Sequence, residues 1–155
     1  MDKPLIVSAN NELVKRARSL RQKKRRAETG LFLVEGIHHI GQALDAGWKV
    51  ESIFYAPDLL ASQYANELIS RVSDKARAVS TEVINSLAEK DNPQGIVAVI
   101  AQRQTLASQL GSIGSAVVLV SPQDPGNVGT ILRSMDAVGA DALFLVDGGV
   151  ELYHP

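Results

Sequence analysis

The residues best suited to chemistry stand together near the end of the chain. They are Asp124, Asn127, Gly129 and Arg133, in the run DPGNVGTILR. An apolar run of β-type residues, Val117 to Val120, comes before them, followed by a loop, Ser121 to Asn127, with two prolines and a glycine. Val128, Ile131, Leu132, Met135 and Val138 then recur at helical spacing, and Gly139 closes the helix. A second apolar run, Ala142 to Val146, ends at Asp147. Strand, loop, helix, strand is a βαβ unit on a parallel sheet. The strands lack polar alternation, which predicts a sheet covered on both faces. Ligands of such sheets gather at the carboxyl ends of the strands. That rule puts Gln123, Asp124, Asn127 and Asp147 on one rim, with Arg133 inside the following helix.

Each of these side chains admits a plain reading and a chemical one. Arginine is costly to bury without an anion. Arg133 therefore either pairs with Asp136 or Asp124, or contacts a phosphate or substrate. Asn127 sits where the helix starts, so it caps that helix or orients a neighbour. Gly129 lets a backbone or ligand come close. A dinucleotide site is the rival for the loop: Gly126-Asn127-Val128-Gly129 follows a strand, and Asp147 ends the next one. Yet the G-x-G-x-x-G pattern is missing, and Asp124 would repel a pyrophosphate.

A second feature is electrostatic. Lys15, Arg16, Arg18, Arg21, Lys23, Lys24, Arg25 and Arg26 are eight of the chain's 16 Lys and Arg residues, with no acid between Glu12 and Glu28. The net charge is only −1, so the rest of the chain is acidic and the basic block is local. Residues 10 to 26 read as one helix, capped by Ser8 or Asn10, with Leu13, Val14, Ala17 and Leu20 as its apolar stripe. Cations without interleaved acids suit a polyanion. Aromatic residues are scarce there, so the block reads as a clamp on nucleic-acid phosphates and not as a base-stacking platform.

The elements that must hold these features follow from the rest of the pattern. Leu31 to Glu35, Val50 to Tyr55, Ala76 to Val79 and Ile96 to Ala101 read as strands. Helices between them carry Ile37, Ile40, Ala43 and Leu44, then Leu60, Tyr64 and Leu68 after Pro57, then Val83, Ile84 and Leu87 behind Ser80 or Thr81. Asp91 to Gly95 reads as a turn. Trp48 reads as a packing anchor. The expected class is α/β: a first domain over 1–103, a Gln-, Ser- and Gly-rich linker over 104–115, and a second domain from 116 to 155. Apolar content of 45% suits a globular fold. There are no cysteines, and the three histidines lack zinc-like spacing, so no metal is expected. No apolar run approaches the roughly 20 residues that span a bilayer. The N-terminus is not a targeting peptide, and the cytoplasm is the expected compartment.

Together these residues carry a resemblance. Asn127-x-Gly129-x-x-x-Arg133 followed by Gly139 resembles the first motif of the SpoU (TrmH-like) RNA ribose 2′-O-methyltransferases of the SPOUT superfamily. The basic segment Leu13 to Arg26, the run Phe32-Leu33-Val34-Glu35-Gly36 and the turn Asn92-Pro93-Gln94-Gly95 are similar to their accessory domain. The resemblance implies a ribosomal-protein-like α/β RNA-binding domain followed by the first βαβ part of a knotted, homodimeric methyltransferase domain. It implies that Arg133 is catalytic beside the target ribose and a phosphate, and that Asn127 shapes that site. It makes Gly129, Gly139, Glu35 and Gly36 motif positions, and Lys15, Arg18, Arg21, Lys23, Lys24, Arg25 and Arg26 RNA contacts. The implied cofactor is S-adenosylmethionine, and rRNA is favoured over tRNA as substrate. A non-catalytic RNA-binding module on the same scaffold is the alternative, and the dinucleotide-dependent enzyme a second one. The family's later motifs, which form most of the cofactor pocket, have no counterpart in these residues. The expectation is therefore a truncated methyltransferase portion that binds the cofactor poorly and is inactive alone.

Overall fold

A computed structural model describes residues 4–60, 62–88, 94–105 and 109–154. Residues 91–93 of the expected turn and 106–108 of the expected linker lie outside them. The chain forms two compact units: Met1–Gln102 with Tyr153–Pro155, and Arg103–Leu152.

The first unit is built on four strands, β1 (Leu31–Glu35), β2 (Val50–Tyr55), β3 (Ala76–Ala78) and β4 (Ile96–Ala101), in the order β1-β4-β2-β3. β4 runs antiparallel to both β1 and β2, and β2 runs parallel to β3. Central β4 explains the sheet. Its sequence IVAVIA has an apolar residue at every position because both faces are covered. Ile96, Ala98 and Ile100 join Ile53 and Ile40 on one side, against α3 (Ile37–Asp45). Val97 and Val99 join Phe54, Leu33 and Val83 on the other, against α1 (Glu12–Ser19) and α5 (Thr81–Leu87). Trp48 packs edge-on against Phe32, ring centroids 5.8 Å apart, and borders the core as an anchor.

Two expected helices are broken. The segment 10–26 is not one helix but α1 and α2 (Lys23–Thr29), and the cap of α1 is Asn11, whose Oδ1 accepts from the Leu13 N–H at 2.9 Å. The break falls where Leu20 enters the core while Arg26 folds back beneath it. After Pro57 there is a 3-10 turn, Pro57–Leu59, and α4 starts only at Gln63 (Gln63–Arg71). Leu68 of α4 is buried, whereas Tyr64 is largely exposed. At α5, Ser80 caps the helix; its hydrogen bond, and then that of the Glu82 backbone, hold the Glu82 carboxyl below its ordinary range.

The second unit is a parallel pair, β5 (Ala116–Val120) and β6 (Ala142–Val146), joined through α6 (Pro125–Val138). The βαβ order matches the expectation, but its burial does not. β5 alternates exposed and half-buried residues, and Val118 and Val120 are 56% and 68% exposed. One helix can cover one face of a two-strand sheet and no more. Val128 and Met135 of α6 are buried, while Leu132 and Val138 face outward.

Candidate functional site

The carboxyl ends of β5 and β6 are tied together. Ser121 follows β5 with φ 46°, and Asp147 follows β6 with φ 62°. These are left-handed conformations, which non-glycine residues adopt at a cost of about 1–3 kcal/mol and which collect at functional sites. Ser121 N–H donates to the Val146 carbonyl at 2.9 Å, and its Oγ donates to the Asp147 carbonyl at 2.7 Å. The Pro122 carbonyl accepts from the Val150 N–H at 2.7 Å. The rim is thus a fixed platform for the start of α6. Ser121 carried no sign of this in the sequence.

Asp124, not Asn127, caps α6. Its Oδ1 accepts from the Asn127 N–H at 2.7 Å. Pro125 at the first helical position is the signal: proline needs no N–H there, so the residue before it is the cap. The Asn127 side chain is exposed and makes no hydrogen bond among the described residues. Asp124 also holds the helix start with its carboxylate, where the dinucleotide reading needs a pyrophosphate.

Arg133 is exposed on α6 and makes no ion pair with Asp124 or Asp136 among the described residues. Its Nη2 donates to Thr130 Oγ1 at 3.0 Å, and Thr130 Oγ1 donates to the Gly126 carbonyl at 3.0 Å. Residues three apart share a helix face, so Thr130 leans the guanidinium toward the N-terminal end of α6. A Cβ at Gly129 would stand 3.5 Å from Arg133 Nη1, an ordinary contact. Gly139 ends the helix in a left-handed conformation, φ 68°.

In the first unit, the basic segment is less uniform than its composition. Arg26 is 1% exposed, and its Nη1 donates to the carbonyls of Leu20 and Arg21, both at 2.7 Å. It bolts α2 to the end of α1, and the expected RNA contact at Arg26 is corrected accordingly. Arg21 is half-buried and donates to the Ala88 carbonyl. Lys15, Lys23, Lys24 and Arg25 are exposed and Arg18 half-buried. Lys15 pairs with Glu12 at 2.8 Å, and its hydrogen bond and charge lower the Glu12 pKa. Arg25 and Lys24 meet Glu28 at 2.9 and 3.9 Å. Such surface pairs contribute about 0–1 kcal/mol and exchange readily for phosphate.

The two accessory-domain motifs meet. Gly36 has φ 98°, and a Cβ there would stand 3.0 Å from Gln94 Oε1. That same oxygen accepts from the Ile37 N–H at 3.0 Å and so caps α3. Glu35 ends β1 and is half-buried. Among the described residues, no three His, Asp or Glu side chains are placed to hold a metal, and no helix is long and apolar enough to cross a membrane.

With this geometry in hand, residues 11–98 match the MRM3-like substrate-binding domain family, and residues 114–155 match the SpoU rRNA methylase family. The chain is 31% identical to the 23S rRNA (uridine(2479)-2′-O)-methyltransferase of Streptomyces viridochromogenes, over 97% of this chain and 53% of that protein. It is 30% identical to the 23S rRNA (guanosine(2553)-2′-O)-methyltransferase of Bacillus subtilis strain 168, over 96% of this chain and 57% of that one. The chain thus spans about half the length of these relatives. A crystal structure of an AdoMet-bound rRNA methyltransferase from Sinorhizobium meliloti aligns with a TM-score of 0.83 at 31% identity, over 97% of this chain and 57% of that one. The chain belongs to the MRM3-like substrate-binding domain family over residues 11–98, and its residues 114–155 match the SpoU methylase family.

Proposed function

We propose that this protein serves S-adenosylmethionine-dependent methylation of a ribose 2′-hydroxyl in RNA, with ribosomal RNA as the substrate class. Residues 1–103 bind the RNA, residues 116–155 belong to the methyltransferase domain, and 104–115 link them. The observation that carries the reading is the Arg133 guanidinium: exposed, unpaired with any carboxylate among the described residues, and steered by Thr130. The names of the relatives, all rRNA 2′-O-methyltransferases in the two cases given, support it.

The chemistry suits these residues. A ribose hydroxyl is a poor acid, and an arginine stays protonated at any working pH. Arg133 therefore acts as a fixed cation. It binds a flanking phosphate and stabilises negative charge on the 2′-oxygen as the hydroxyl proton passes to water. Asn127, spared from capping, has a free amide to orient the ribose. Bound S-adenosylmethionine supplies the electrophilic methyl group. Of the second unit's apolar residues, Val128 and Met135 are the buried ones, and the unit has no buried polar side chain among its described residues. These residues therefore fit the ribose-phosphate side of the reaction and do not form an adenosine cradle.

Lys15, Arg18, Arg21, Lys23, Lys24 and Arg25 hold RNA phosphates in this reading, and the protein works as a cytoplasmic homodimer. Arg133→Ala in the full-length protein is the test. Methyl transfer to rRNA should fall about 100- to 1,000-fold, while RNA affinity falls by no more than about fivefold, one phosphate contact's share. Wild-type transfer by that variant would remove the proposal.

A further inference from the structure

A cavity of about 550 Å³ opens in the first unit between α1, α2 and the sheet, within the roughly 300–1,000 Å³ of small-molecule sites. Its lining is mixed. Lys15, Arg16, Arg25 and Arg77 bring four positive charges, and Glu51 is the acid among them. Leu13 and Leu31 supply apolar wall. Phe54 lies at the floor but is 1% exposed, so it offers no face for stacking. Arg77 comes from β3, far along the chain from the basic segment, and nothing in its neighbourhood marks it in the sequence. Its Nη1 donates to the carbonyls of Asp74 and Ala76 at 2.9 and 2.8 Å. Those bonds hold the guanidinium in place and leave its other N–H groups for a ligand. Arg16 is exposed, and its guanidinium has no partner among the described residues.

We infer that this cavity receives one unpaired ribonucleotide of an RNA strand, its base against Leu13 and Leu31 and its flanking phosphates on Arg16 and Arg77. The inference rests on the RNA reading above and gives it a place. A phosphate alone needs no apolar wall, and an apolar molecule needs no ring of four cations. Residues of both basic helices, Lys15 and Arg16 of α1 and Arg25 of α2, line the cavity, so a strand held along them runs beside it. A base in a duplex is stacked and paired and cannot enter; an unpaired base can turn in. Without an aromatic platform or a dedicated hydrogen-bonding side chain, the pocket selects strandedness more than base identity.

The test is fluorescence anisotropy on the 155-residue chain, with a labelled oligouridylate and a blunt RNA duplex of equal length. Arg77→Gln and Arg16→Gln should each weaken oligouridylate binding about fivefold and lower its salt slope by about 0.7, one phosphate contact's share. Duplex binding should hardly move. Glu51→Gln should tighten oligouridylate binding, whereas Glu67→Gln, the same charge change on exposed α4, should not. Arg16 lies on the exposed side of α1, so its variant reads the site even if Arg77→Gln unfolds. Oligouridylate binding unchanged in both arginine variants, with wild-type binding intact, overturns the cavity assignment and leaves the RNA reading standing. So does equal weakening of duplex binding, or a Glu67→Gln effect equal to that of Glu51→Gln. Displacement by uridine monophosphate at the oligonucleotide's own concentration would make the ligand a free nucleotide and also overturn it. A wild-type chain that binds neither RNA overturns both proposals.

Discussion

The two units use the same ingredients, apolar strands and amphipathic helices, and end with opposite interiors. In the first, β4 lies under helices on both sides, and each of Ile96 to Ile100 is at most 5% exposed. In the second, β5 and β6 are as apolar in sequence, yet Val118, Val120 and Val146 stay open. An apolar run specifies a strand by its β-branched residues. It does not specify what covers that strand. Cover depends on how many helices the topology delivers to each face, and α6 is the one α-helix in the second unit among the described residues.

That contrast can be broken at graded points. Phe54→Ala, in the sealed core, should cost about 3–5 kcal/mol, read as a shift of the urea midpoint. A cost under 1 kcal/mol would mean that the first unit's core is not closed. Arg26→Ala should cost about 2 kcal/mol, because the carbonyls of Leu20 and Arg21 lose a charged donor. Its RNA affinity, measured where the variant is folded, should match the wild type; a loss like that of an exposed lysine would return Arg26 to the RNA face. Gln94→Ala should cost about 1 kcal/mol through the lost cap on α3. Val118→Thr should change stability by less than about 0.5 kcal/mol. A loss of several kcal/mol at Val118 would show that the open face of β5 is in fact covered.

Strands were the most legible part of the sequence, because period and composition act locally. β1, β2, β4 and β6 stand where the apolar runs put them. Helix ends were less legible. Nothing in Leu20-Arg21-Gln22 is a breaker, and the turn there exists because Leu20 is drawn into a core made by distant residues. The same event hides Arg26, which no charge count separates from Arg25. At the rim, the Asn127-Gly129-Arg133 spacing announced a motif, but reading the loop through to Asn127 misses the cap signal that Pro125 gives for Asp124. The exposure of Arg133 was not announced, since the apolar stripe of α6 implied a helix turned inward. Arg77 and Ser121 were invisible for a different reason: one joins the basic residues only through the sheet, and the other owes its role to a backbone angle.

One oxygen, Gln94 Oε1, caps Ile37 across 57 positions of chain and closes on the space that a Gly36 side chain would need. A side chain at Gly36 would have to push that oxygen a few tenths of an ångström aside at a φ of 98°, so the two positions are coupled through the cap on α3. Across homologues they should change together or not at all, and a designer who grafts this sheet onto another scaffold must carry both or neither.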